Sequence, residues 1–477
     1  MGKQTSPSPS PHVVIFPLPL QGPVKCMLKL AEMLSLAGIR VTFVNSHHVH
    51  RRLPDSGYFS KYPNFRFETL PDGLPDDNPR TGDQILELLQ AMEAVSRPVF
   101  REILSSGSPA ATCLIAEGVF VWAAGVAADV GVPLLYFDTI SPCGLWGLLS
   151  LPNLIQSGEF PFTDEELDEV VAGTDGVMRR RDLPSFCRIK DVNDPIIQLV
   201  IEEANHIPLA QGLIFNTFHH LEAPILSQML TISPNIYAVG PLHAHLKSRL
   251  PGGDPSIASD SIWEEDKSCI SWLDKQPPKS VIYVSIGSLA VMTRDQLYEI
   301  WHGLVDSGSR FLWARRPGSV FGPGPRPDDD VIVPLDLAQG TKERGCVVGW
   351  APQEEVLAHP SVGGFLTHSG WNSTLESVVA GKPMVCWPFH ADQQVNSRYV
   401  EEVWGLGLDM KDSCDRVVVA EMVREVMGSR KDEFSERASE MAKFAKMSVS
   451  PGGSSFLDFD RLIEDIKTMK ILHVKKY

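Results

Sequence analysis

Apolar and polar positions follow the same rhythm twice along this chain. Residues 12–16 form a short β-branched and aromatic run, and residues 17–22 are rich in chain breakers. Residues 23–36 then carry Met27, Leu28, Ala31 and Leu34 at helical spacing before Gly38. A second strand is predicted over residues 40–44. The rhythm returns with a strand over 280–286, a turn at Gly287-Ser288, a helix over 294–305 and a strand over 311–314. Strand, helix, strand units assemble into parallel sheets with helices on both faces, so an α/β fold of Rossmann-like halves is expected. Gly240-Pro241 and residues 250–261, which contain PGGDPS, read as linker rather than core. The expected boundaries are 1–240 for the first half, 241–262 for the linker and 263–455 for the second half, with 456–477 beyond it. Ligands of open parallel sheets lie past the carboxyl ends of the strands, and two facing halves would make a cleft there.

A third patterned stretch carries chemistry as well as fold. Residues 364–367 are apolar and bounded by glycine, residues 368–370 turn the chain, and residues 371–380 have helical spacing that stops at Gly381. The predicted helix opens on Asn372 and Ser373, and free N–H groups at such a start suit a phosphate. A competing account is purely local: Ser373-Thr-Leu-Glu376 has the spacing of an N-terminal capping box.

Charge and cysteine content narrow the ligand class. Lys and Arg number 43 against 59 Asp and Glu, a net charge of -16, which disfavours nucleic acid and anionic membrane surfaces. The N-terminal MGKQTSPSPSP has no apolar segment of a signal peptide, and the apolar run over 113–137 is broken by Glu117 and Asp129. A cytoplasmic protein without membrane insertion is expected. The 8 cysteines form no C-x-x-C pair and no metal-spaced cluster. A small-molecule ligand is the class that remains.

Residues 350–393, WAPQEEVLAHPSVGGFLTHSGWNSTLESVVAGKPMVCWPFHADQ, resemble over 44 positions the signature box of plant family 1 UDP-sugar-dependent glycosyltransferases. The likeness extends to the opening PHVVIFPLPLQG, to VIYVSIGSLAVMT, to FLWARRP and to the closing SPGGSSFLDFDRLIEDI. It implies a two-domain GT-B fold, with the acceptor bound mainly by the first half and the donor by the second. It also implies a last helix, near residues 456–469, that crosses back to the first half, and a monomer as the family default.

Carried over position by position, the resemblance implies that Trp350, beside Ala351, stacks on uracil, and that Gln353 and Glu376 take the ribose hydroxyls. His368, Gly370, Asn372, Ser373 and Ser288 would hold the diphosphate. Trp371, Asp392 and Gln393 would fix the sugar, with Thr139 touching it from the first half. A final Gln together with Trp371 resembles glucose-using members, so UDP-glucose is the expected co-substrate, with no further cofactor. Asp328-Asp329-Asp330 has a D-x-D spacing, but it follows FGPGPRP and reads as a solvated loop; no metal is expected.

The sequence departs from the family at the catalytic base. Most members carry a histidine after Gln-Gly in the first loop and an aspartate that orients it. This chain has Gln21-Gly22-Pro23 and, in CLIAEGVF, Glu117. Proline has no proton-transfer chemistry, although it suits the first residue of a helix. Three accounts stay open. Glu117 is itself the base, since a buried carboxylate gains basicity. Alternatively, the acceptor is acidic enough to need none. In the third, transfer has been lost and the cleft binds a small molecule or serves another reaction. Asp138 adds a second carboxylate, and His47, His48 and His50 offer another base or a solvated loop. The resulting expectation is inverting transfer of glucose to a hydroxyl or carboxyl of a small, mostly apolar plant metabolite, of terpenoid or iridoid type, with a phenolic as a further option.

Overall fold

The computed structural model describes residues 11–53, 62, 64–78, 80, 82–106, 110–171, 177–250, 261, 263–321 and 333–469. Seven strands form the first sheet: β1 His12–Phe16, β2 Arg40–Ser46, β3 Phe65–Leu70, β4 Cys113–Ala116, β5 Leu134–Asp138, β6 Leu213–Phe215 and β7 Ile236–Ala238. Their spatial order is β3-β2-β1-β4-β5-β6-β7, with every pairing parallel. The chain continues with β8 Val281–Ser285, β9 Met292–Thr293, β10 Arg310–Ala314, β11 Val320–Phe321, β12 Gly345–Val348, β13 Val362–Thr367, β14 Met384–Cys386 and β15 Gly407–Asp409. Six of these make a second parallel sheet in the order β12-β10-β8-β13-β14-β15, and β9 with β11 forms a separate two-stranded ribbon. Every residue of β1 and β8 is buried, which is why those strands read as continuous apolar runs rather than alternating ones. The architecture is α/β and of GT-B type.

Two expectations at the edges of elements are corrected. The first helix is Gln21–Leu36, so Pro23 is its third residue and not its first. The position tolerates proline because the first N–H groups of a helix have no intrahelical acceptor; the first such bond here is donated by Val24 N to Leu20 O at 3.0 Å. The second correction concerns the linker. Residues 242–249 form the helix Leu242–Arg249, whose Leu242 and Leu246 are fully packed against Val24, Met27 and Leu28. They belong to the core of the first half. Residues 251–260 and 262 lie outside the described residues, as does the aspartate run at 328–330.

The chain ends by tying the halves together. Helix Lys431–Ser448 packs Ala438 and Ala445 into the second core, whereas the following helix, Ser454–Thr468, sends Phe459, Leu462 and Ile466 into the first. Tyr237 donates its hydroxyl to Asp465 at 2.7 Å, and Ala238 N donates to Asp458 at 3.0 Å. All 8 cysteines are free. No helix among the described residues is long and apolar enough to cross a membrane, and none of their His, Cys, Asp and Glu side chains group to hold a metal ion.

Candidate active site

Loops after β1, β4 and β5 face loops after β8, β13 and β14 across a cavity of ≈ 330 Å³. Its position past the carboxyl ends of both sheets is where such folds expose backbone and side chains to ligand. From the first half Pro23, Glu117, Asp138 and Thr139 line it. Ser288, Trp350, Ala351 and Gln353 line the other wall, followed by His368, Gly370, Trp371, Asn372, Ser373 and Glu376. Asp392 and Gln393 complete the set. His47, His48 and His50 are not among the lining residues: they form the short helix His47–His50, where burial pushes His48 down to about 4 and His50 packs edge-on to Phe67.

The helix Trp371–Ala380 starts at Gly370 without any side-chain cap, so the capping-box account does not hold. Its would-be members are used elsewhere. Ser373 Oγ accepts from Gln353 Nε2 at 2.9 Å, and Glu376 Oε2 accepts from the same amide nitrogen at 2.7 Å. Backbone N–H groups at this helix start are therefore open to an anion. His368 stands beside them, held neutral by burial that lowers it to about 3. A Cβ on Gly287, at φ +77, would lie 2.4 Å from His368 Nε2, so the turn after β8 passes against the imidazole and admits only glycine.

Several residues of the second-half wall also bridge the halves. Trp371 Nε1 donates to Asn216 O at 2.8 Å, and Asn372 Nδ2 donates to Gly22 O at 3.0 Å. Asp392 Oδ2 accepts from Ser141 N at 3.1 Å and from Asn396 Nδ2 at 2.9 Å; burial raises its pKa against these bonds. Gln393 Oε1 accepts the Phe389 and His390 N–H groups, at 2.9 and 3.1 Å. Trp350 keeps company with Trp263, their ring centroids 5.8 Å apart.

In the first half, Glu117 follows β4 directly and is 5% exposed. Its Oε1 accepts from Thr139 N at 3.1 Å and from Thr139 Oγ1 at 2.7 Å, while the buried Oε2 has no protein partner. Burial, and then the nearby Asp138, raise Glu117 to about 8. Asp138 Oδ1 and Glu203 Oε1, the latter from the helix Pro195–His206, both close on Gly118, and burial raises Asp138 to about 7. Around these carboxyls the wall is apolar, with Leu18, Leu86, Leu89, Leu148 and Leu199 among its members.

Among the lining residues that sequence reasoning missed are Glu203, Lys25 and His390. Glu203 had a signal: with Ile197 and Val200 it falls at i, i+3 and i+6 on the buried face of its helix. Lys25, which bonds Glu376 at 2.9 Å, and His390 have no local signature of their own.

Residues 261–434 match the family described as UDP-glucoronosyl and UDP-glucosyl transferase. A 7-deoxyloganetic acid glucosyl transferase of Catharanthus roseus is 50% identical, over 99% of this chain and 100% of that protein. A myricetin 3-O-rhamnoside 1,2-glucosyltransferase of Crocosmia x crocosmiiflora is 42% identical, over 96% of each. Among solved structures, Os79 from O. sativa in complex with UDP superposes with a TM-score of 0.80 at 29% identity, covering 95% of this chain and 100% of that one. Full-length identity at this level, on a cleft built from both halves, leaves one conclusion: the chain belongs to the UDP-glucoronosyl and UDP-glucosyl transferase family.

Proposed function

We propose that this protein transfers glucose from UDP-glucose, with inversion, to a hydroxyl or carboxyl of a small, mostly apolar plant specialised metabolite of terpenoid or iridoid type. Support for the acceptor class comes from relatives named for 7-deoxyloganetic acid, at 50% identity, and for 7-deoxyloganetin, at 35%. A descendant that has lost transfer is disfavoured by the same full-length likeness. The leucine-rich wall suits an apolar skeleton, and the uncapped helix start suits a diphosphate. Trp350 stacks on the base, Gln353 and Glu376 take the ribose, and Trp371, Asp392, Gln393 and Thr139 hold the sugar. Ser288, His368, Asn372 and Ser373 hold the diphosphate. The protein works as a cytoplasmic monomer without a metal ion.

One observation carries the chemistry: a buried carboxyl oxygen, Glu117 Oε2, without a protein partner on the wall of the cavity. In the proposed step, the acceptor O–H proton passes to Glu117 and the oxygen bonds to the anomeric carbon. The bond from that carbon to the phosphate oxygen breaks, and its electron pair leaves with UDP. Thr139 fixes the other carboxyl oxygen and so aims the base. The test is UDP release with UDP-glucose and a panel of terpenoid, phenolic and carboxylic acceptors, each product checked by mass. Acceptor-dependent release with a gain of one hexose, lost in Glu117→Ala, is the expected result. Acceptor conversion without sugar gain overturns the reading.

A further inference from the structure

The first-half wall holds more acid than one base needs. Glu117, Asp138 and Glu203 are 5%, 2% and 5% exposed and come from three different elements. Glu203 and Asp138 converge on the backbone at Gly118: a Cβ there would lie 2.4 Å from Glu203 Oε1 and 2.6 Å from Asp138 Oδ1. Only glycine lets the chain pass so close. Two carboxylates brought this near one another in a buried wall offer only acceptors and repel, so one proton held between them relieves both. On the far side, Asp138 Oδ2 and Glu117 Oε2 are both buried without a protein partner, and all three residues line the cavity. A capped, self-satisfied network would leave no such atoms.

We propose that Asp138 and Glu203 share a single proton and act together as a fixed negative group that keeps Glu117 a base toward a neutral hydroxyl, so that the acceptor reacts through an alcohol and not through a carboxylate. This rests on the glucosyl-transfer reading given above. The acceptor proton goes to Glu117 Oε2, the shared proton stays within the pair, and the leaving electron pair goes to UDP. A carboxylate nucleophile would instead have to approach the negative charge of the pair in a dry wall, where like charges repel strongly. The other titratable groups facing the cluster do not relieve it: Tyr136 lies against Asp138 and Glu203, and Cys26, from the first helix, lies near Glu117. Nearby Lys25 is engaged by Glu376 and Glu354, and Lys29 by Glu354. Asp138 and Glu203 are positioning residues; Glu117 is the group that meets substrate.

Full-length protein is assayed with UDP-glucose and three probes: 7-deoxyloganetic acid, which offers both a hydroxyl and a carboxyl, geraniol, and geranic acid. Products are treated with neutral hydroxylamine, which cleaves glucose esters and spares glucosides. Hydroxylamine-stable products are expected. A labile glucose ester overturns the assignment of the reacting group while leaving glucosyl transfer intact, and no hexose gain on any probe overturns the transfer reading and this inference with it. The pair is tested by pH profile on the best probe. In the double variant Asp138→Asn/Glu203→Gln the charge is gone. The acidic limb then moves down by about one pH unit and plateau kcat falls about tenfold. An unmoved limb in a double variant that still binds UDP overturns the role of the pair.

Discussion

Lys25 Nζ lies 2.9 Å from Glu376 Oε1, joining the first helix of the first half to the helix Trp371–Ala380 of the second. Glu376 is nearly inaccessible, and the proposed donor brings two more negative charges to the same helix. Lys25 therefore neutralises a carboxylate that would otherwise repel the diphosphate. For Lys25→Met, KM for UDP-glucose is expected to rise about tenfold, roughly 1.4 kcal/mol, with kcat changed much less. Steady-state kinetics at saturating acceptor give the split between the two constants.

Gly287 and His368 make a second contact that leaves no room for change. Gly287→Ala would place a methyl 2.4 Å from the imidazole nitrogen, on a backbone at φ +77 that disfavours any side chain. The imidazole must move off the diphosphate site. UDP affinity, by calorimetry, is expected to fall by about tenfold to a hundredfold, with strain and lost contact acting together.

Restoring the family histidine is expected to give no gain. Glu117 Oε1 is committed to the backbone and hydroxyl of Thr139, and Pro23 sits inside the first turn of its helix. A histidine there would face Glu117 where the family pattern described above implies an aspartate. Pro23→His is expected to leave kcat/KM unchanged within about twofold or to lower it. Activation of tenfold or more would mean that the site had decayed rather than moved its base.

The second-half wall of the cavity was legible in part because much of it is local. His368, Gly370, Asn372, Ser373 and Glu376 occupy one strand-turn-helix unit, and their spacing alone fixes their relation to the helix start. The sheets were legible too, since strands covered on both faces cannot hide as alternating patterns. The first-half wall was legible only in part: Glu117, Asp138 and Thr139 could be named, but Glu203 joins them only through tertiary structure, 86 residues from Glu117. The helix Leu242–Arg249 was missed for a related reason. Its sequence LHAHLKSR is largely polar, yet Leu242, His243, His245 and Leu246 are buried, and that burial lowers each histidine to about 4.

The raised pKa of Glu117 has a consequence for stability that does not depend on any acceptor. Its folded value, about 8, stands above the ordinary 4.5, so the folded protein holds a proton that the unfolded chain releases between those values. Stability from this group is complete below about pH 4.5, declines as pH rises, and is gone above about pH 8. Buried histidines with lowered values act in the opposite direction below about pH 6.5, where the unfolded chain takes up their protons. A single pH curve of Tm therefore mixes the two. The difference between Glu117→Gln and the parent cancels the histidines, because both proteins share them. Glutamine stays neutral at every pH, so the variant is expected to gain on the parent as pH rises from 5.5 to 8.5, by roughly 5 °C in Tm. A constant difference across that range would place the titration of Glu117 outside it, and its readiness to take a proton from a hydroxyl near neutral pH would fail with it.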